Sequence, residues 1–226
     1  ALTGLDLFYG LVVLAIFSLA YSLSGGLKAV AMTDVVQVVL LIFGGLAVSF
    51  IALNTISEST GVVNGMKIVF DQMPEKFDMI LSSDNPSYKN LPGIWILFGL
   101  GVWIGHFFYW GFNQYITQRA LGAKSIKEAQ KGVMFAAYLK LLMPIVIVLP
   151  GICAAILFPV LEKSDQAYPT MMSLLPNGLL GLTFAALIAA IVSSLASMSN
   201  SISTIFTMDI YRYFKGEEHN LSLIHI

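Results

Sequence analysis

The chain has 226 residues, of which 57% are hydrophobic and only 11% charged, and its mean hydropathy is +0.81. Soluble domains carry about 25% charged residues, so a water-solvated core of this size is excluded and the solvent must be lipid. Twelve Lys and Arg against thirteen Asp and Glu leave a net charge of −1, which excludes a basic nucleic-acid binder. The single Cys153 excludes a disulfide framework and a Cys-rich metal site.

A helix needs about 20 mostly apolar residues to cross the hydrocarbon core. Five stretches meet this, at about 6–27, 34–56, 91–118, 131–160 and 178–208. Period-2 alternation is absent, and an open strand would leave its edge unpaired in lipid, so the expected class is all-α, a polytopic membrane protein. Lys28, Arg119, Lys124, Lys127, Lys131, Arg212 and Lys215 fall on one side, against Lys67, Lys76, Lys89 and Lys163 on the other. The basic connection 119–131 is short, so it sets the orientation: residue 1 outside, the C-terminal end in the cytoplasm.

In chain order, the first residue of interest is Asp34, at the inner mouth of the second span in Met32-Thr33-Asp34-Val35. Either Thr33 or Asp34 is placed to cap that helix, and an acid there would also guide a cation leaving to the cytoplasm. The outer loop 58–89 follows, in which Val62, Met66, Val69 and Met73 recur at helical spacing. They predict a short helix on the outer surface, serving as a packing lid or carrying chemistry.

The run from Gly105 to Tyr115 holds His106, four consecutive aromatics (Phe107, Phe108, Tyr109, Trp110), Gly111 and Asn113. Such a run is poor helix material, and discontinuous helices build the substrate sites of secondary transporters. Aromatic rings with polar tips suit the C–H face and hydroxyls of an uncharged polyol; an interfacial aromatic belt is the competing reading.

Lys140 lies inside the fourth span, four residues before Pro144. It either snorkels to the interface or faces a polar cavity, beside the carbonyl that Pro144 leaves without its N–H partner. In the last span Ser193, Ser197, Asn200, Ser201 and Thr204 form one polar face. Close helix packing explains it, and so does a sodium site in which the Ser193 and Ser194 hydroxyls and the Ala190 carbonyl offer neutral oxygens to a hard cation. No nucleophile–base pair or nucleotide loop is present, so an enzyme is not expected.

Ala1 is not Met, and the charged stretch around Arg212–Glu218 gives way abruptly to residues 221–226. The expectation is a partial transmembrane domain over 1–220, the internal part of a larger chain, with 221–226 an artefact of sequencing-library preparation.

Gly4, Leu7, the apolar run 11–17 and Tyr21-Ser22-Leu23-Ser24-Gly25-Gly26-Leu27-Lys28-Ala29 fit one spaced pattern. With residues 109–119, 189–198 and 203–211 they resemble the solute:sodium symporter family, most of all its bacterial sodium/galactose and sodium/glucose branch. The resemblance covers residues 4–215. It implies the leucine-transporter-type inverted-repeat fold, with this chain holding helices four to eight of that core.

It also implies that Tyr109 is the inner gate beneath the sugar, with Trp110 beside it. Lys140 would bond sugar hydroxyls, Ala190, Ser193 and Ser194 would form half of a sodium site, and Asp34 would handle sodium at the inner exit. His106 departs from the branch pattern, which has a sugar-bonding asparagine there. Sodium is then the co-transported ion, a sugar or polyol the substrate, and the bilayer of the bacterial plasma membrane the location. Another neutral solute such as myo-inositol, or the transporter-like membrane domain of a sensor protein, is the alternative function.

Overall fold

Apolar residues without proline dominate 7–56, and the backbone is helical throughout, forming α1 (Leu7–Ile56). The computed structural model describes residues 6–78, 80–85, 88, 99–161 and 163–215. They divide into two compact units, one built from 1–45 with 175–226, the other from 46–174.

In the first unit α1 doubles back on itself. Tyr21 Oη donates to the Ala29 carbonyl at 3.1 Å and is hydrogen-bonded to Thr33 Oγ1. In a straight helix Tyr21 and Thr33 would stand about 18 Å apart along the axis, further than a tyrosine side chain reaches. The reversal falls around Gly25, where a Cβ would lie 2.6 Å from Ala29 Cβ, so glycine is the residue this turn requires. Two spans were expected here with a break between 27 and 34; the structure keeps the helical backbone through that region and reverses its direction instead.

Both arms of α1 pack on α8 (Asn177–Ile205). Ser18 Oγ donates to the Val192 carbonyl and Ser22 Oγ to Asn200 Oδ1, each at 3.1 Å, so the first arm runs parallel to α8. Ser193 bonds Asp34, and Gly44 meets Thr183, so the second arm runs antiparallel to it. A π-helical turn, Phe206–Tyr211, and α9 (Arg212–Lys215) continue α8.

The second unit contains the remainder of α1 and α2 (Val62–Gln72), the expected short helix after the second span. Its buried side carries Gly65 and Val69, while Val63 and Phe70 face outward. α3 (Leu100–Phe107) runs into a π turn, Phe108–Phe112, and ends at Asn113, whose backbone is extended. Asn113 caps α4 (Gln114–Leu121) by accepting from the Tyr115 N–H. Residues 89–98 lie outside the described residues, and with them the start of the expected 91–118 span.

α5 (Ile126–Lys140) begins at a Ser125 cap, its hydroxyl accepting from the Glu128 N–H. It stops at Lys140, and a π turn, Pro144–Val148, leads into α6 (Leu149–Leu157). The stop follows from Pro144, which cannot donate to the carbonyl one turn back. In that π turn the Leu149 N–H reaches the Pro144 carbonyl. The next residue, Pro150, has no N–H for Ile145, and Ser49 Oγ donates to the Ile145 carbonyl at 2.5 Å in its place. α7 (Ala167–Met172) completes the unit.

Among the described residues three stretches are long and apolar enough to cross a membrane: Lys28–Ile56, Ile126–Leu157 and Asn177–Phe214; Phe8–Leu23 is a shorter apolar helix. Phe17, Phe43, Phe135 and Ile202 are more than three-fifths exposed, while Ser18, Ser22, Ser197 and Asn200 are buried. Apolar outside and polar inside is the distribution that a lipid solvent selects.

A Cβ at Gly65 would fall 2.1 Å from the Leu53 carbonyl oxygen, whereas one at Gly132 meets nothing within 4 Å. Gly65→Ala should therefore lower stability by about 1–3 kcal/mol, and Gly132→Ala should be neutral or raise it by up to about 1 kcal/mol. Thermal unfolding of the purified protein in detergent measures both.

Candidate functional site

Two groups of residues form, one in each unit. In the second unit the ends of two interrupted helices bring Tyr109, Trp110 and Lys140 together. The π turn 108–112 carries Tyr109 and Trp110, with ring centroids 5.2 Å apart and nearly perpendicular. The Lys140 ammonium lies 4.3 Å from the centre of the Trp110 ring, a cation–π contact worth about 0.5–1 kcal/mol where exposed. Tyr109 and Trp110 are each about two-fifths exposed.

His106 stands one turn before Trp110, and its Nδ1 is 2.7 Å from the Val102 carbonyl. The cluster thus combines an aromatic stacking surface, a phenol and an ammonium with N–H groups to donate.

In the first unit α8 presents Ala190, Ser193 and Ser194 at i, i+3 and i+4, on one face of the helix. Ser193 is buried and donates its hydroxyl proton to Asp34 Oδ1. Its oxygen lone pairs remain directed away from that bond, which is the electronic condition for ligating a hard cation. Thr33 and Asp34 lie within the second arm of α1, so neither caps a helix start. Thr33 Oγ1 lies 3.0 Å from the Val30 carbonyl. The capping expectation failed because the helical backbone runs unbroken through the reversal, so no helix starts at Thr33 or Asp34.

Of the polar face expected on the last span, Ser193, Ser197, Asn200 and Ser201 are buried and Thr204 is half-buried. The contacts of Ser22 with Asn200 and of Ser18 with the Val192 carbonyl were not anticipated. Those two serines stand at i and i+4, and that spacing was the signal available in the sequence. Ser49 was missed as well, since its partner is a carbonyl made needy by Pro150, far along the chain. Among the described residues no group of three or more His, Cys, Asp or Glu is placed to hold a metal ion.

The inward-facing hydroxyls, outward-facing aromatics and interrupted helices define a multi-pass α-helical membrane protein. A model of the sodium:solute symporter family matches residues 1–224. The chain is 46% identical to a sodium/glucose cotransporter of Vibrio parahaemolyticus, over 99% of this chain and 44% of that protein. It is 34% identical to the human sodium/myo-inositol cotransporter 2, over 93% of the chain and 35% of that protein. To an uncharacterized symporter of Escherichia coli K12 it is 37% identical, over 89% of the chain and 34% of that protein. The chain belongs to the sodium:solute symporter family, in agreement with the motif resemblance, and that family is one of transporters rather than enzymes. It spans less than half the length of these relatives.

The Ser193–Asp34 bond predicts coupling between two residues distant in sequence. Ser193→Ala and Asp34→Ala should each destabilise the protein by about 1–3 kcal/mol, and the double variant by at least about 0.5 kcal/mol less than their sum. A double-mutant cycle of thermal unfolding in detergent reads the coupling.

Proposed function

We propose that the protein carries out sodium-coupled uptake of a sugar, glucose or galactose, across the bacterial plasma membrane by alternating access. The chain supplies about five helices of a leucine-transporter-type inverted-repeat fold, together with part of each binding site. The observation that carries this reading is the cluster at the two interrupted helices, with the Lys140 ammonium against Trp110 and Tyr109 edge-on to it. The similarity to a sodium/glucose cotransporter supports it.

The sugar's C–H face would stack on Tyr109 and Trp110, Lys140 would donate to a hydroxyl, and His106 would line the same pocket. The Ala190 carbonyl and the Ser193 and Ser194 hydroxyls would hold sodium. These oxygens are neutral, and the Asp34 carboxylate bonded to Ser193 would attract the ion as it leaves toward the inner exit. One sodium crossing about 100 mV supplies about 2.3 kcal/mol. A tenfold gradient adds about 1.4 kcal/mol. Together these sustain a sugar gradient of several hundred-fold.

Kinship with myo-inositol cotransporters favours a second reading, symport of a cyclic polyol. Competition of labelled glucose uptake by galactose and myo-inositol separates the two.

In the full-length protein Ser194→Ala should raise the sodium concentration for half-maximal uptake several-fold. Lys140→Ala should raise the sugar KM about tenfold, with sodium activation little changed. Sodium activation unmoved by Ser194→Ala would remove that residue from the ion site. An unmoved KM in Lys140→Ala would leave its ammonium a partner of Trp110 alone.

A further inference from the structure

A proline in a helix frees the carbonyl it would have bonded, and the local register decides which carbonyl that is. In α register an N–H at position 150 would belong to Val146, and the Leu149 N–H to Ile145. In the π turn Pro144–Val148 the Leu149 N–H goes to the Pro144 carbonyl instead, so Pro150 leaves Ile145 without its donor. Either register therefore gives up one backbone hydrogen bond at Pro150. The π register is intrinsically the rarer of the two. Its presence here calls for a partner outside this helix.

That partner is on the second arm of α1. Ser49 Oγ donates to the Ile145 carbonyl at 2.5 Å. Ser49, Val146 and Pro150 are buried, so water is not at hand for a carbonyl left over. Residues 145 and 146 stand about 100° apart around the helix axis. A hydroxyl seated against the carbonyl of one is out of line with that of the other, and Ser49 rewards the π register alone.

The choice of register extends to Lys140. The Leu141 and Leu142 N–H groups bond the Tyr138 and Leu139 carbonyls at 3.1 Å. The Ile145 and Val146 N–H groups both reach the Leu142 carbonyl at 3.0 Å. These bonds tie α5 to the π turn, so a slip of one residue there turns α5 by about 100° and moves it about 1.5 Å along its axis. Lys140 ends α5, and its ammonium, 4.3 Å from the Trp110 ring centre, would swing off that face.

We infer that Ser49 is a positioning residue: by donating to the Ile145 carbonyl it selects the π register at 144–148 and so sets where Lys140 stands against Trp110. The consequence for sugar binding rests on the proposed function; the selection of register does not.

The full-length protein would be compared as Ser49→Ala, as Ser49→Thr, which keeps the hydroxyl, and as Pro150→Ala, which returns an N–H at position 150. A structure of Ser49→Ala should show 144–148 in α register, with the Leu149 N–H on the Ile145 carbonyl. Ser49→Ala should lower the Tm in detergent by about 2–4 °C. On a Pro150→Ala background it should lower it far less, because the Ile145 carbonyl then has an N–H in either register. Ser49→Ala should also raise the sugar KM about tenfold, as Lys140→Ala does, and add nothing to Lys140→Ala. Ser49→Thr should keep the unsubstituted KM.

A π turn that persists in Ser49→Ala would overturn the inference, as would an equal loss of Tm on both backgrounds. A sugar KM raised by Lys140→Ala and unmoved by Ser49→Ala would overturn the positioning role. The structure and the unfolding cycle need no substrate, so absence of saturable sugar uptake by the unsubstituted protein would overturn the proposed function alone.

Discussion

In a lipid solvent every polar group must find its partner within the protein, and the structure is organised by that requirement. Ser18 to the Val192 carbonyl, Ser22 to Asn200, Ser193 to Asp34 and Ser49 to the Ile145 carbonyl are all contacts between segments far apart in sequence. Apolar packing alone does little to choose among helix faces when the surroundings are equally apolar. Hydroxyls that must be hidden do choose, and in the first unit they set which faces of the two α1 arms meet α8. Thr183 Oγ1 and Asn200 Nδ2 are the buried side-chain atoms without such a partner among the described residues.

The same requirement bears on the helices of the second unit, which are interrupted where Tyr109, Trp110 and Lys140 meet. Asn113, and the pair Pro144 and Pro150, break the backbone ladder just after these residues, and freed groups at each break find a partner. The Asn113 side chain caps the next helix. At the second break Ser49 supplies the hydrogen bond that Pro150 cannot. Interrupted helices in a membrane persist where freed groups are re-satisfied or line a cavity, and such places are suited to holding a polar solute. The Lys140 ammonium, costly against lipid, meets the Trp110 face in that setting.

Much of this was legible from residue order. Hydropathy located the apolar stretches because a span is a local property of about 20 residues. The glycines and aromatics of 105–115 announced poor helix geometry, since they act on their own backbone; the single helix expected over 131–160 is instead interrupted between Lys140 and Leu149, where Pro144 and Pro150 each withhold an N–H. What escaped were facts settled by a partner. Thr33 and Asp34 resemble a cap until the helical backbone is seen to run on through the reversal around Gly25, and Asp34 is bonded to Ser193 instead. Ser18, Ser22 and Ser49 are unremarkable as residues and acquire meaning through carbonyls and an amide on other segments. The family resemblance rested on longer motifs, and the match over residues 1–224 agrees with it.

The proposed sodium-coupled uptake is the centre of the account. Its most direct test is the accumulation of labelled glucose by proteoliposomes holding the full-length protein, with an imposed inward sodium gradient or an equal potassium gradient. Concentrative uptake with sodium, collapsing to simple equilibration with potassium, is the predicted result. Equal accumulation under both gradients would contradict sodium coupling.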